Sequence, residues 1–147
     1  MSLIKVGAVA PGIEAQTGSG GAFQLEDQLG SSSVMLVFYP KDFTGGCTTQ
    51  LVNVQQSLAD MRAAGVEPFG VNPEGGDSHQ RFCDAYELEF PILVDADKAA
   101  AEAYGAVRPD GGIQRSVFVI GKDGKVAFSQ EGAPSWDEVS SALSAGS

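Results

Sequence analysis

The sequence predicts an α/β fold with a mixed central β-sheet flanked by helices, and three observations carry that prediction. Between residues 34 and 104, short apolar runs of strand length alternate with stretches whose apolar residues recur at helical spacing, the pattern of a sheet covered by helices. Two further apolar runs flank Lys122-Asp123-Gly124; Asp-Gly supplies positive φ at low cost, so these runs close as a hairpin and make the sheet mixed. The chain has 147 residues, 43% of them hydrophobic, which suits one domain over residues 1–147 with a core that needs no disulfide staples.

The elements follow in order. Pro11-Gly12 is a turn after Val6 and Val9, and Gly18-Ser19-Gly20-Gly21 is a hairpin tip between two short edge segments within 15–25. Residues 26–33 are a polar connector with room for one helical turn. Residues 34–39, Val-Met-Leu-Val-Phe-Tyr, read as a buried central strand that Pro40 ends. Leu51, Val54, Leu58 and Met61 then set a helix over 47–64, with Gly65 just past its end. A strand over 66–71 contains Pro68, which argues against a central position. Asp77 or Ser78 caps a second helix running to about residue 88. A short strand over 90–94 follows, then a helix over 98–104 capped by Asp95 or Asp97 and closed by Gly105. A Pro- and Gly-rich loop spans 107–114, and strands over 115–120 and 126–130 make the hairpin. Pro134 and Ser135 start a last helix with Trp136, Val139 and Leu143 on one face. The two βαβ units are expected to cross over right-handed.

Composition excludes several partners. A net charge of −10 disfavours nucleic acid and anionic membrane surfaces, both of which need a basic face. No apolar run approaches the roughly 20 residues of a membrane span. The start, MSLIKVGAVAPG, is too short and too interrupted by Lys5 for a signal peptide, so a cytoplasmic location is expected. The two cysteines, Cys47 and Cys83, fit no zinc pattern and no disulfide framework; in a reducing compartment such a pair is inert or redox-active.

The chemistry concentrates in residues 38–50, FYPKDFTGGCTTQ. Cys47 stands in the first turn of a helix, at the end of a core strand. Backbone N–H groups without intrahelical partners and the positive end of the macrodipole favour a negative sulfur there. Moving a thiol from its usual pKa of about 8.5 down by about two units takes roughly 2.7 kcal/mol and makes the thiolate the main form. Thr44 offers a hydroxyl, Lys41 a positive charge, and Gly45 and Gly46 leave nearby N–H groups unshielded. A buried structural cysteine is the alternative. Arg115, at the start of a core strand, has a donor fork suited to a thiolate and an oxygen anion; a solvated strand-end arginine is the simpler reading, and Arg108 competes. Cys83, between Phe82 and Tyr86, is inert packing or a redox partner, the latter requiring local unwinding to bring the two Cα atoms within about 4.4–6.8 Å. His79, one turn earlier, reads as an exposed helix histidine rather than a base for that thiol. Trp136 reads as core, and the acidic residues as a solvated surface.

Pro40, Thr44 and Cys47 match the Pro-x-x-x-Thr-x-x-Cys signature of the peroxiredoxins, and the chain resembles that family. FYPKDFT followed by GCTTQ looks like the Q-type, or bacterioferritin-comigratory, branch. VNPEGGDSHQRF, FPILVDADKAAAEAYGA and RSVFVIGKDGKV agree in order, so the resemblance runs from about Val6 to Val126. It implies a thioredoxin-like fold and thiol-dependent reduction of hydrogen peroxide and organic hydroperoxides, with no metal, haem or flavin. It makes Cys47 the peroxidatic nucleophile, Thr44 and Arg115 the residues that hold the peroxide oxygens, and Pro40 a shield against water. The resemblance also places Arg115 ahead of Arg108.

Four features depart from the pattern. Gly45 stands where the family often has proline. Gln50 replaces a common glutamate, which is expected to weaken an anchor on the arginine. The position of a frequent resolving cysteine is Val52; a smaller group places that cysteine on the following helix, which corresponds to Cys83. The 107–114 loop is short for the branch. The expected cycle passes through a Cys47–Cys83 disulfide reduced by thioredoxin or a glutaredoxin-like donor, in a monomer or weak dimer. A thiol-disulfide oxidoreductase, disfavoured by the lack of a Cys-x-x-Cys pair, and a redox-sensing binding protein are the alternatives.

Overall fold

The computed structural model describes residues 3–18 and 20–145; Ser19 of the proposed hairpin tip lies outside the described residues. Strand β1 (Glu14–Thr17) pairs antiparallel with β2 (Ala22–Gln24), and the short helix α1 (Leu25–Leu29) leads to β3 (Ser33–Phe38). There follow α2 (Gly45–Gln56), α3 (Leu58–Ala63), β4 (Val66–Asn72), α4 (Gly76–Tyr86), β5 (Ile92–Val94) and α5 (Ala99–Tyr104). The hairpin β6 (Ser116–Ile120) and β7 (Val126–Glu131) and the helix α6 (Trp136–Ala145) complete the fold. The described strands form one seven-stranded sheet in the order β2-β1-β5-β4-β3-β6-β7. β4 pairs parallel with β3 and β5, while β3–β6, β6–β7 and β1–β5 are antiparallel. The mixed α/β sheet read from the sequence is the observed one. Among the described residues, no helix is long and apolar enough to cross a membrane.

The sheet is buried on both faces, and β3 shows why. Side chains alternate along a strand, so Val34, Leu36 and Phe38 enter one apolar cluster while Met35 and Val37, with Tyr39 just beyond the strand, enter the other. The second cluster also takes Cys47, Leu51 and Val54 from α2, Leu58 and Met61 from α3, and Val139 from α6. The 3.6-residue stripe of the sequence therefore packs as expected and carries Cys47 into the core.

Four local expectations change. The helix expected over 47–64 is two helices that break at Ser57 (φ −98°, ψ 4°); serine is a weak helix former, and the apolar stripe crosses the break undisturbed. Pro68 does sit in a central strand. Gly70 N donates to the Pro91 carbonyl, and β5 pairs with β4 only from Gly70 onward. Pro68 is two residues earlier on that same edge, where no neighbour needs its missing N–H. The cap position of α4 is Gly75 rather than Asp77 or Ser78, which lie inside the first turn; the Ser78 hydroxyl donates to Asp42 instead of capping. Asp95 and Asp97 are not alternatives: Asp95 accepts from the Ala100 and Ala101 N–H groups, and Asp97 from that of Ala99.

Candidate active site

Strand β3 is followed by a fully buried Tyr39 and a half-buried Pro40, and a loop then carries the chain to α2. Within that loop Phe43 takes φ +66°, a left-handed conformation that costs a bulky residue about 1–3 kcal/mol and persists only where its surroundings enforce it. Its ring rests on Phe82 of α4, with a centroid separation of 5.1 Å. Thr44 takes the extended cap position, and Cys47 is the third residue of α2 and only 1% exposed. Helix geometry leaves the N–H groups of Gly45, Gly46 and Cys47 without an intrahelical acceptor.

Arg115 precedes β6, and its carbonyl is fixed by the Gly132 N–H at 2.8 Å. The guanidinium reaches across to α2, where Nη2 donates to Cys47 Sγ at 3.3 Å and Nη1 to Gln50 Oε1 at 2.5 Å. Cys47 and Gln50 are three residues apart on α2, hence on one face, and a single planar fork engages both. The anchor from residue 50 is thus present in neutral form, although Gln50 Nε2 is buried without a hydrogen-bond partner. Arg108 is turned elsewhere: it pairs with Asp110 at 3.0 Å on the exposed part of the 107–114 loop. Thr44 is not brought onto the sulfur; its exposed hydroxyl donates to the Lys41 carbonyl at 3.2 Å.

Cys83 lies on α4, half-buried, and packs against the same cluster as Cys47. Both are free thiols. Burial, with added repulsion from Asp42 and Asp84, pushes the Cys83 thiol up to about 11, so at neutral pH it is protonated. Burial, and after it Asp42, also pushes the Tyr39 hydroxyl up, with smaller contributions from both cysteines; Tyr39 lies within electrostatic reach of the two sulfurs.

Two expectations about polar residues are overturned. His79 is fully buried rather than exposed, and Asp42 is buried rather than part of a solvated acidic surface. Asp42 Oδ1 accepts from the Tyr39 hydroxyl at 2.6 Å and Asn72 Nδ2 at 3.0 Å. Oδ2 accepts from Ser78 Oγ at 2.7 Å and lies 2.7 Å from His79 Nδ1. Burial acts to raise this carboxyl, but the bonds from His79, Tyr39 and Ser78 outweigh it and hold it below the usual range. Hydrophobic periodicity carries no signal for such a node; the only trace in the sequence is that Asp42 lies five residues before Cys47, and His79 one turn before Cys83.

The family model described as AhpC/TSA family matches residues 6–129. The chain is 31% identical to Peroxiredoxin Bcp of Bacillus subtilis over 147 residues, covering 95% of this chain and 93% of that one. It is 30% identical to Peroxiredoxin Bcp of Escherichia coli over 133 residues, covering 86% and 85%. Among solved structures it superposes on Xanthomonas campestris Peroxiredoxin Q with a TM-score of 0.82 at 25% identity, covering 97% of this chain and 94% of that one. On Peroxidoxin BcpB of Mycobacterium tuberculosis the TM-score is 0.87 at 24% identity, with 97% and 96% covered, a likeness of the thioredoxin-like fold alone. With a cysteine at a helix start under an arginine fork, and relatives of this kind along nearly its whole length, the chain belongs to the AhpC/TSA family as a peroxiredoxin of the Bcp, or Q-type, branch, a thiol-dependent peroxidase.

Proposed function

We propose that Cys47 is the peroxidatic cysteine and that the enzyme reduces hydrogen peroxide and organic hydroperoxides through a Cys47–Cys83 disulfide, recycled by thioredoxin or a glutaredoxin-like donor. The observation that carries this reading is the Arg115 Nη2 donor 3.3 Å from Cys47 Sγ. A cationic donor at that distance stabilises charge on the sulfur, and its remaining N–H groups are free to hold a peroxide oxygen.

The ionised sulfur attacks the terminal peroxide oxygen; an S–O bond forms, the O–O bond breaks, and the leaving oxygen takes a proton and departs as water or an alcohol. Charge moves from sulfur to the leaving oxygen, so donors that span both atoms act most strongly at the transition state. Arg115 and the first-turn N–H groups are those donors, joined by Thr44 when its hydroxyl exchanges the Lys41 carbonyl for substrate. Pro40 keeps water from the sulfur. Cys47 is left as a sulfenic acid. The Cys83 thiol then displaces its hydroxyl: an S–S bond forms and water leaves. Two thiols of the reductant restore both cysteines by exchange and become a disulfide themselves.

Two solved variants of X. campestris Peroxiredoxin Q replace cysteines as far apart in that chain as Cys47 and Cys83 are here, which supports Cys83 in the second step. Mass spectrometry after one equivalent of peroxide tests it. The expected product is an intramolecular disulfide, lost in Cys83→Ser; a persistent sulfenic acid in the parent chain means a one-cysteine cycle.

A further inference from the structure

Asp42 is the point at which the cysteine loop is fastened to the rest of the molecule. Its carboxylate takes bonds from the end of β3 through Tyr39, the end of β4 through Asn72, and the first turn of α4 through Ser78 and His79. Its own N–H donates to Glu74 Oε1 at 2.6 Å. His79 extends the tie to β5, since its Nε2 lies 3.1 Å from the Leu93 carbonyl. Both ring nitrogens thus have a partner, Asp42 Oδ2 for Nδ1 and the Leu93 carbonyl for Nε2. The pair is therefore closed at both ends. Gly18 seals it from outside, because a Cβ there would stand 2.8 Å from His79 Cβ.

A second tie runs beside the first. Phe43, next to Asp42, rests on Phe82 and faces Tyr86 at 6.4 Å. The loop before Cys47 is thus held to α4 by a polar node at one end of the helix and an aromatic contact near the other. Cys83 lies between them, one turn after His79. In this closed arrangement Cys83 is half-buried, its thiol turned toward the Phe90 carbonyl at 3.9 Å. Asp42 is also one of the charges that keep it protonated.

We propose that His79 and Asp42 are a positioning pair for the peroxidase reaction: closed, they hold the cysteine loop on α4 while Cys47 reacts, and their opening sets the rate at which loop and helix separate to let Cys83 reach the oxidised sulfur. The second half rests on Cys83 as the resolving thiol. One movement then exposes Cys83 and carries Asp42 away from it.

The test compares the parent with His79→Gln, which cannot fill both ends of the pair, and Ser78→Ala, which removes one bond from the node without altering packing. Hydrogen exchange of the reduced proteins is read at residues 41–46 and 76–83, and rapid mixing separates peroxide consumption from disulfide formation. For His79→Gln we expect exchange to rise about tenfold at both segments together, with β3 and β6 unchanged. Disulfide formation is expected to accelerate about fivefold while peroxide consumption slows, and Ser78→Ala to show the same pattern at smaller amplitude. A purely structural role would slow both steps and raise exchange throughout. Unchanged exchange, a rise at only one segment, or a slower second step overturns the proposal; if His79→Gln does not fold, Ser78→Ala decides by the same criteria. A parent that forms no Cys47–Cys83 disulfide refutes the resolving role of Cys83, and the pair is then judged by the joint exchange of the two segments alone.

Discussion

Gln50 Oε1 accepts from Arg115 Nη1 at 2.5 Å, while Nε2 on the same amide is buried and unpartnered. One half of the side chain orients the arginine, and the other carries an unmet hydrogen-bonding need. An unsatisfied buried donor costs about 1–3 kcal/mol; a carboxylate at this position removes that donor, turns the charge-assisted contact into an ion pair, and can turn its second oxygen to the same guanidinium. Gln50→Glu is therefore expected to raise unfolding free energy by about 1–2 kcal/mol, measured by urea denaturation of the reduced protein. A loss of stability would show that the orphaned amide is not a cost.

In the proposed reaction Arg115 acts by its planar geometry as much as by its charge. Nη1 and Nη2 engage Gln50 and Cys47 at once, which a single ammonium cannot do. Arg115→Lys is expected to slow sulfenic acid formation by about 100- to 1000-fold with the fold intact, the scale of losing one preorganised oxyanion donor. Arg108→Lys, altering an arginine bound to Asp110 in an exposed loop, is expected to leave that rate unchanged. Stopped-flow peroxide consumption under single-turnover conditions distinguishes them.

The strands, the helical stripe and the cysteine at a helix start were legible in the sequence because each has a period or a breaker that marks it. Val34 to Phe38 alternate between two buried faces, and Pro40 closes the run. Arg115 was legible only by resemblance, since nothing in its spacing from Cys47 distinguishes it from Arg108. Asp42 and His79 were missed for a physical reason. Their burial is compensated by bonds from residues distant in sequence, chiefly Asn72 and Leu93, and such compensation has no periodicity. Composition assigns an aspartate and a histidine to the surface by default, and only the fold supplies the partners that make burial tolerable.

Glycine positions near the site separate by what a methyl group meets. At Gly18 an added Cβ comes 2.8 Å from His79 Cβ and 3.3 Å from Gln80 N, so the first hairpin and α4 must part. Gly18→Ala is expected to cost about 1–3 kcal/mol, as overpacking does. At Gly45, the first residue of α2, the same methyl meets nothing within 4 Å and the backbone is not left-handed. Gly45→Ala is expected to stabilise by about 0.4–1 kcal/mol through the unfolded chain. Thermal unfolding of the two variants, with opposite signs expected, checks both.

Asp42 and Cys83 pull the stability of the reduced protein in opposite directions along the pH axis. The Asp42 carboxyl is held below its usual range when folded, so its contribution is complete above the ordinary carboxylate pKa and is lost as pH falls through the folded value. Cys83 is held up at about 11, by burial first and then by Asp42 and Asp84; its contribution is complete below the ordinary thiol pKa and is lost as pH rises toward the folded value. Urea titrations across pH are expected to show a plateau with an acid and an alkaline shoulder. Asp42→Asn should flatten the first and Cys83→Ala the low-pH part of the second, below the ordinary tyrosine pKa of about 10, above which Tyr39 and Tyr104 ionise in the unfolded chain while burial keeps them protonated in the folded one. In Cys47→Ser, alkylation of the remaining thiol should stay slow at about pH 8 and climb toward about pH 11. Fast alkylation at the lower pH would mean that Cys83 is open to solvent in the reduced enzyme, leaving nothing for Asp42 and His79 to hold shut.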